Sequence, residues 1–268
     1  MFATQNDLDW NVISRDLFVT FGGENIKVPG KKAQVREDNF DVVGITGDKY
    51  TVFQNSSLKN LVMPLVEEGL LEVTNIGYLG KGEKVFLQAT MSEAYKVVGE
   101  EHKGMITLLN SHNGSSALAV GVTDTRVICG NTFASALTDM NQRIRHTGDI
   151  EEQVLNITDV VNFVNEGMTK FSEAAEVLSS TRCDDEMLDV LITAAFRRET
   201  VQARNTIKGF YRNGIGTEGK TLYDALNGVT QWATHNSNKK DGTRFASVNF
   251  GSAAQVSRNF MNAALALV

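Results

Sequence analysis

The chain has 268 residues, 42 % hydrophobic and 22 % charged, with a net charge of −6. That length and apolar share can bury one sizeable core or two small ones, which sets aside a disordered chain. The two cysteines, Cys129 and Cys183, exclude a disulfide scaffold or a paired-cysteine metal knuckle, and no apolar run nears the roughly 20 residues that span a bilayer. With no basic, apolar, small-residue order in residues 1–18, a soluble cytoplasmic protein with no membrane partner is expected.

Taken in chain order, residues 33–54 alternate short apolar pairs with Asp/Gly turn signals and read as strand, turn, strand. NSSLKNLVMPLVEEG then places Leu58, Leu61, Val62, Leu65 and Val66 on one helical face, with Pro64 predicting a kink or two short helices. LEVTNIGYL and KVFLQATM, joined by GKGE, read as a hairpin, and MITLLNSH, SALAVGVT and TRVIC supply up to three more strands. The short connections favour antiparallel pairing. After TRVIC the period changes, and Asn131 is read as the cap of a helix carrying Phe133, Leu137 and Met140 on one face.

From Ile150 to Leu178 the apolar positions Ile150, Val154, Ile157, Val161, Val164, Met168, Phe171, Ala175 and Leu178 recur in alternating steps of four and three. At roughly 1.5 Å per residue such a helix would be about 43 Å long, laid either along its own domain or in a seam between subunits. Residues 184–212 read as a further helix, acidic at its start and basic at its end, and TLYDALNGVTQWATH as another, opened by a Thr221–Asp224 capping box; SAAQVSRNFMNAALAL reads as the last. The expected class is α+β: an N-terminal antiparallel β-meander with helices in residues 1–146, then a helical half in residues 147–268 containing one long heptad-patterned helix. One continuous domain would fit the same pattern.

Charge is unevenly spread. From Arg197 onward there are ten basic and four acidic residues, so the acidic excess lies before it. This fits a cationic face for nucleic acid, or a cationic surface that meets the acidic part of a neighbouring subunit. In one continuous helix Arg197, Arg204, Lys208 and Arg212 would share an arc of about 80°, with Arg198 beside them and Phe210 and Tyr211 near its end. Cations next to aromatics are what a single-strand groove needs, because phosphates require counter-charge and unpaired bases a flat platform. Solvated end charges on a helix explain the same residues. Arg143 and Arg145 in RIRH, Lys239, Lys240 and Arg244 in NKKDGTR, and Arg126 add further cations.

Two other motifs carry chemistry. GIGTEGKT, residues 214–221, matches the letters of a phosphate-binding loop, with Gly219, Lys220 and Thr221 in the phosphate and magnesium roles. The preceding polar segment is not the buried strand such a loop follows, and a glycine turn capped by Thr221 accounts for the same letters. His112, Cys129, His146 and His235 could supply a nucleophile pair or a zinc site, but no two stand at ligand spacing, and a buried inert thiol fits Cys129 in RVIC. No cofactor or metal is implied.

LDWNV, VREDNFDVVGITGDKYTVFQN, SHNGSSAL, RVICGNT, RIRHT, and TLYDALNGVTQWATH with FGSAA resemble a phage- and plasmid-associated family catalogued as a domain of unknown function, number nine hundred thirty-two. Members typically read His-Asp-Gly where this chain has His112, Asn113 and Gly114, which favours a turn over a metal ligand or general base there. The order of elements is also similar to the core of single-strand annealing proteins. That likeness implies a non-enzymatic, homo-oligomeric protein, ring or filament, that binds single-stranded DNA in mobile-element recombination.

Overall fold

The structure, a computed structural model, describes residues 8–126, 132–134, 141–154, 157–235, 247–249 and 251–268. Strands β1 (Val12–Phe21) and β2 (Glu24–Arg36) form a long hairpin. Its turn is Gly22–Gly23, with φ of 61° and 87°, backbone that favours glycine and matches the twist of a tight hairpin. Strand β3 (Val42–Gly47) pairs antiparallel with β2 and completes a three-stranded sheet in the order β1-β2-β3. Helices α1 (Asn55–Asn60) and α2 (Met63–Glu67) follow, broken where Pro64 occupies the first turn of α2, as expected of a proline without a donor.

The second sheet contains β4 (Leu71–Leu79), β5 (Lys84–Met91), β6 (Tyr95–Val97), β7 (Glu100–Ser111), β8 (Leu118–Arg126), β9 (Thr132–Ala134) and β10 (Asn141–Ile144). Every pairing is antiparallel, in the order β10-β8-β7-β5-β4, with β6 on β7 and β9 on β8. Helices α3 (Ile157–Ser180), α4 (Asp185–Ala195), α5 (Val201–Asn213), α6 (Leu222–His235) and α7 (Ser252–Leu265) make up the C-terminal half. The mixed α+β class, with the antiparallel meander first and helices after it, is therefore observed. One apolar cluster runs from Leu8 and Trp10 through Leu87, Ile106 and Val122 to Val164, Leu191, Leu226 and Phe260, so both halves share a core.

Several expectations change. Helix α3 starts at Ile157, and Ile150 and Val154 lie in turns before it. Its residues Val164, Met168, Phe171, Ala175 and Leu178 are buried in the chain's own core, with Gly104 of β7 so close that a Cβ there would lie 2.8 Å from Met168 and 2.9 Å from Val164. From Val164 to Leu178 that face packs against the chain's own core. The helix expected over 184–212 is two helices. Phe196 ends α4 in extended backbone, and Thr200 caps α5 by accepting the amide of Ala203 at 3.1 Å. Residues 118–126 form one strand where two were expected. Thr132–Ala134 is strand β9, so no helix passes through Phe133; Leu137 and Met140 lie outside the described residues.

Candidate functional site

Four sequence blocks far apart in the chain meet at one end of the two sheets. The side chain of Gln54 ties down the start of β1, accepting from Val12 N at 3.0 Å and donating to Val12 O at 2.9 Å. Asn55 donates to Trp10 O at 2.9 Å, which leaves its carbonyl oxygen to accept from His112 Nε2 at 3.0 Å. His112 thus carries its proton on Nε2, and its bare Nδ1 is buried without a partner. Burial first, then the neighbouring His146 and Arg36, pushes the His112 pKa down to about 3, so the ring is neutral.

Trp10 lies 5.6 Å from the His112 ring and is covered on another side by Arg36, whose guanidinium carbon sits 4.0 Å from the indole centroid and 5.0 Å from that of Tyr78. Arg36 is fixed by two bonds to Asp38, at 2.9 and 2.6 Å, and by donating to Lys81 O at 2.9 Å. The carboxylate raises the Arg36 pKa, and the guanidinium holds that of Asp38 below the ordinary range. Burial and bidentate pairing hold this cation, and it is not offered to a ligand.

Beside this plug three turns enclose an open groove of about 470 Å³, lined by Gly47, Lys49, Tyr50, Gly114, Ser116, Ala117, Arg145, His146 and Thr147. Each wall has a local cause. Asn113 accepts from Ser111 Oγ at 2.8 Å and from Ser115 N at 3.0 Å, and Gly114 at φ 69° completes that tight turn. Gly44 of β3 lets the turn approach, since a Cβ there would lie 2.4 Å from Asn113 Cα and 2.8 Å from His112 O. Tyr50 donates its hydroxyl to Ser111 O at 2.5 Å and stacks on His146, centroids 4.8 Å apart at 16°. His146 and Thr51 bond reciprocally, through Thr51 N to His146 O at 2.9 Å and through His146 Nδ1 to Thr51 O at 3.1 Å. Nδ1 is then the protonated nitrogen, and Nε2 is buried without a partner. Burial lowers the His146 pKa and raises that of Tyr50, so neither ring is charged near neutrality. The side chains of Lys49 and Arg145 are exposed, and among the described residues neither has a hydrogen-bond or ion-pair partner and no carboxylate lines the groove. The arrangement can bind an anion.

Residues 42–264 match the family described as Domain of unknown function (DUF932). The chain belongs to this family. No curated protein and no solved structure matches it. The family match covers every groove residue and leaves Trp10 and Arg36 before its start.

Placement of the cations singled out by sequence divides them. Arg204, Lys208 and Arg212 do share a face of α5, but that face meets α4. Arg204 binds Asp189 at 2.7 Å and is clasped by Glu199, Lys208 binds Asp189 at 2.6 Å, and Arg212 binds Asp185 at 2.5 Å. Lys208 and then Arg204 hold the Asp189 pKa below the carboxylate range, and Arg204 does the same to Glu199. Tyr211 is buried, its hydroxyl donating to Cys183 O at 2.5 Å, and Phe210 is half-buried, so the expected aromatic platform is mostly enclosed. Arg197 is not on the α5 stripe at all. It and Arg198 are exposed in the α4–α5 link.

Arg143 is exposed on β10, and Arg145 follows at the strand's exit. The side chain of Arg126, and Lys239, Lys240, Arg244 and Cys129, lie outside the described residues. His235 is exposed at the end of α6.

Around Gly219, Lys220 and Thr221 the structure opposes a phosphate loop. Asp224 already accepts the amides of Glu218 at 3.3 Å, Lys220 at 3.0 Å and Thr221 at 3.0 Å, while Thr221 Oγ1 accepts the Asp224 amide at 3.1 Å and Lys220 Nζ binds Glu218 at 2.6 Å. A carboxylate sits where the loop would need its anion, and helix α5, not a strand, precedes it. The expected capping box is the correct reading of these letters.

Proposed function

We propose that this chain is a non-enzymatic binding protein for single-stranded DNA, and that the strand passes through the groove of Lys49, Tyr50, Arg145 and His146, not along α5. The observation that carries this is the contrast in charge pairing. The α5 cations are neutralised by Asp185, Asp189 and Glu199, whereas Lys49 and Arg145 face a groove in which no carboxylate among the described residues supplies counter-charge. Arg143, two residues from Arg145, extends the positive track along β10, near Arg258 of α7, whose pKa is lowered first by burial and then by the charge of Arg143. A polyanion supplies the missing counter-charge, and the glycines at 47 and 114 let a backbone come close. Strand annealing within a mobile-element recombination system is the role this binding would serve.

Fluorescence anisotropy of a labelled oligothymidylate at low salt tests it. The Lys49→Ala/Arg145→Ala double variant should bind about tenfold more weakly, in keeping with two lost phosphate contacts. Arg212→Ala should stay within about twofold, its charge being already spent on Asp185. No binding by the wild-type chain at low salt overturns the proposal.

A further inference from the structure

Charge draws phosphate to the groove but does not tell one polyanion from another, since any nucleic acid presents phosphates to Lys49 and Arg145. What an unpaired strand offers beyond charge is the flat apolar face of each base, which stacking keeps covered in a duplex. A site that selects single strands therefore needs an aromatic face beside its cations. The platform that the sequence places at Phe210 and Tyr211 is enclosed, Tyr211 being 2 % exposed and bonded to Cys183 O.

The groove holds a different platform. Among its described lining residues the aromatic rings are those of Tyr50 and His146, which stack 16° from parallel with centroids 4.8 Å apart. Each ring thus has one face against the other. His146 is the inner member, 6 % exposed and tied through Nδ1 to Thr51 O. Tyr50 is half-buried and is therefore the outer member, and the face it turns away from His146 is the one a ligand in the groove can meet. Its hydroxyl bond to Ser111 O holds the far end of the ring, and the stack sets its tilt, so the ring is in position without a ligand. Gly114 leaves the ring edge clear. A Cβ there would stand 4.0 Å from both Cδ2 and Cε2 of Tyr50, and a longer side chain would lie against the ring. In the chain each aromatic has a cation as its neighbour, Lys49 before Tyr50 and Arg145 before His146.

We infer that Tyr50 is the base platform of the groove, an unpaired base stacking on its outer face while Lys49 and Arg145 hold phosphates of the same strand. This rests on the reading of the groove as a nucleic-acid site and adds what charge pairing lacks, a reason for single strands to be preferred. The volume of about 470 Å³ lies within the range of small-ligand sites, roughly 300–1,000 Å³, and suits a single nucleotide unit. Stacking reads no base edge, so the contact is tolerant of sequence.

Fluorescence anisotropy on the full chain tests it with two labelled strands of equal length and charge, oligothymidylate and an abasic deoxyribose-phosphate strand. Circular dichroism checks the fold of each variant. The wild type should bind oligothymidylate about tenfold more tightly than the abasic strand, the size of one base–aromatic stack. Tyr50→Leu should abolish that preference and keep the wild-type salt slope, because the lost contact carries no charge. Tyr50→Phe should retain the preference, since the ring and its stack on His146 survive. Equal affinity of the wild type for the two strands overturns the inference and leaves the cationic groove standing. No binding of either strand removes the groove reading itself, and the inference with it. A preference that survives Tyr50→Leu also overturns it. So does one lost equally in Tyr50→Phe and Tyr50→Leu, which would mean that the hydroxyl bond to Ser111 shapes the groove and no base rests on the ring.

Discussion

His112 makes the fold sensitive to acid by an amount that can be worked out. In the unfolded chain a histidine titrates near about 6.5, whereas burial holds folded His112 at about 3. Between these values the unfolded chain binds a proton that the folded chain refuses, so this group's contribution is complete above the unfolded pKa and is lost as pH falls toward the folded one. From pH 7 to pH 5 the loss is about 2 kcal/mol, and it keeps growing by about 1.4 kcal/mol per unit until pH approaches 3. In a chain this long that is a fall in Tm of roughly 4–8 °C between pH 7 and 5. His146, also lowered by burial, acts in the same direction. Thermal unfolding by circular dichroism at pH 7, 6 and 5 should be run on the wild type and on His112→Gln. The variant starts less stable, having lost the bond to Asn55, but its Tm should fall less steeply with pH, because every other titrating group is common to both chains. Parallel pH curves would refute the reasoning and mean that His112 titrates freely in the folded chain.

Other consequences follow from particular contacts. Asp189→Ala should destabilise the chain by only about 1 kcal/mol in urea unfolding, since its pairs with Arg204 and Lys208 are partly solvated and screened. Because the paired Asp189 carboxyl titrates below the ordinary range, the α4–α5 clasp persists through neutrality and is lost only as pH falls through that lowered value. Gly44→Ala should cost about 1–3 kcal/mol, as a methyl driven into Asn113 and His112 forces β3 off the 111–115 turn. It should also weaken oligonucleotide binding without changing any charge. Asp124→Ala should cost about 3 kcal/mol in the same assay, because Asp124 Oδ2 lies 2.7 Å from His102 Nδ1 in a buried chain that continues to the Tyr223 hydroxyl at 3.2 Å.

Features with local causes were legible in the sequence. Pro64 broke the helix where its ring must, Thr221 and Asp224 capped α6, and GKGE joined β4 to β5, each decided within a few residues. The groove was not legible, since Lys49, Gly114 and Arg145 are ordinary turn residues that meet only because β3, the 111–115 turn and the exit of β10 converge. Helical periodicity set the α5 cations on one face but could not show that Asp185 and Asp189 lie opposite, across a break at residues 196–200 that the reading as one helix concealed. The β1–β2 hairpin escaped notice because a register shift between Asp16 and Phe18 disrupts its alternation, and its apolar side chains face outward instead of toward a core.

We propose that uncompensated charge in the groove, and not the paired charge of α5, meets nucleic acid. The salt dependence of oligothymidylate binding tests it most directly. For the Lys49→Ala/Arg145→Ala chain, log affinity against log salt should be shallower than wild type by about 1.4, two contacts at about 0.7 each for a single strand. An unchanged slope, with the loss appearing instead in an Arg204→Ala/Lys208→Ala chain, would contradict it.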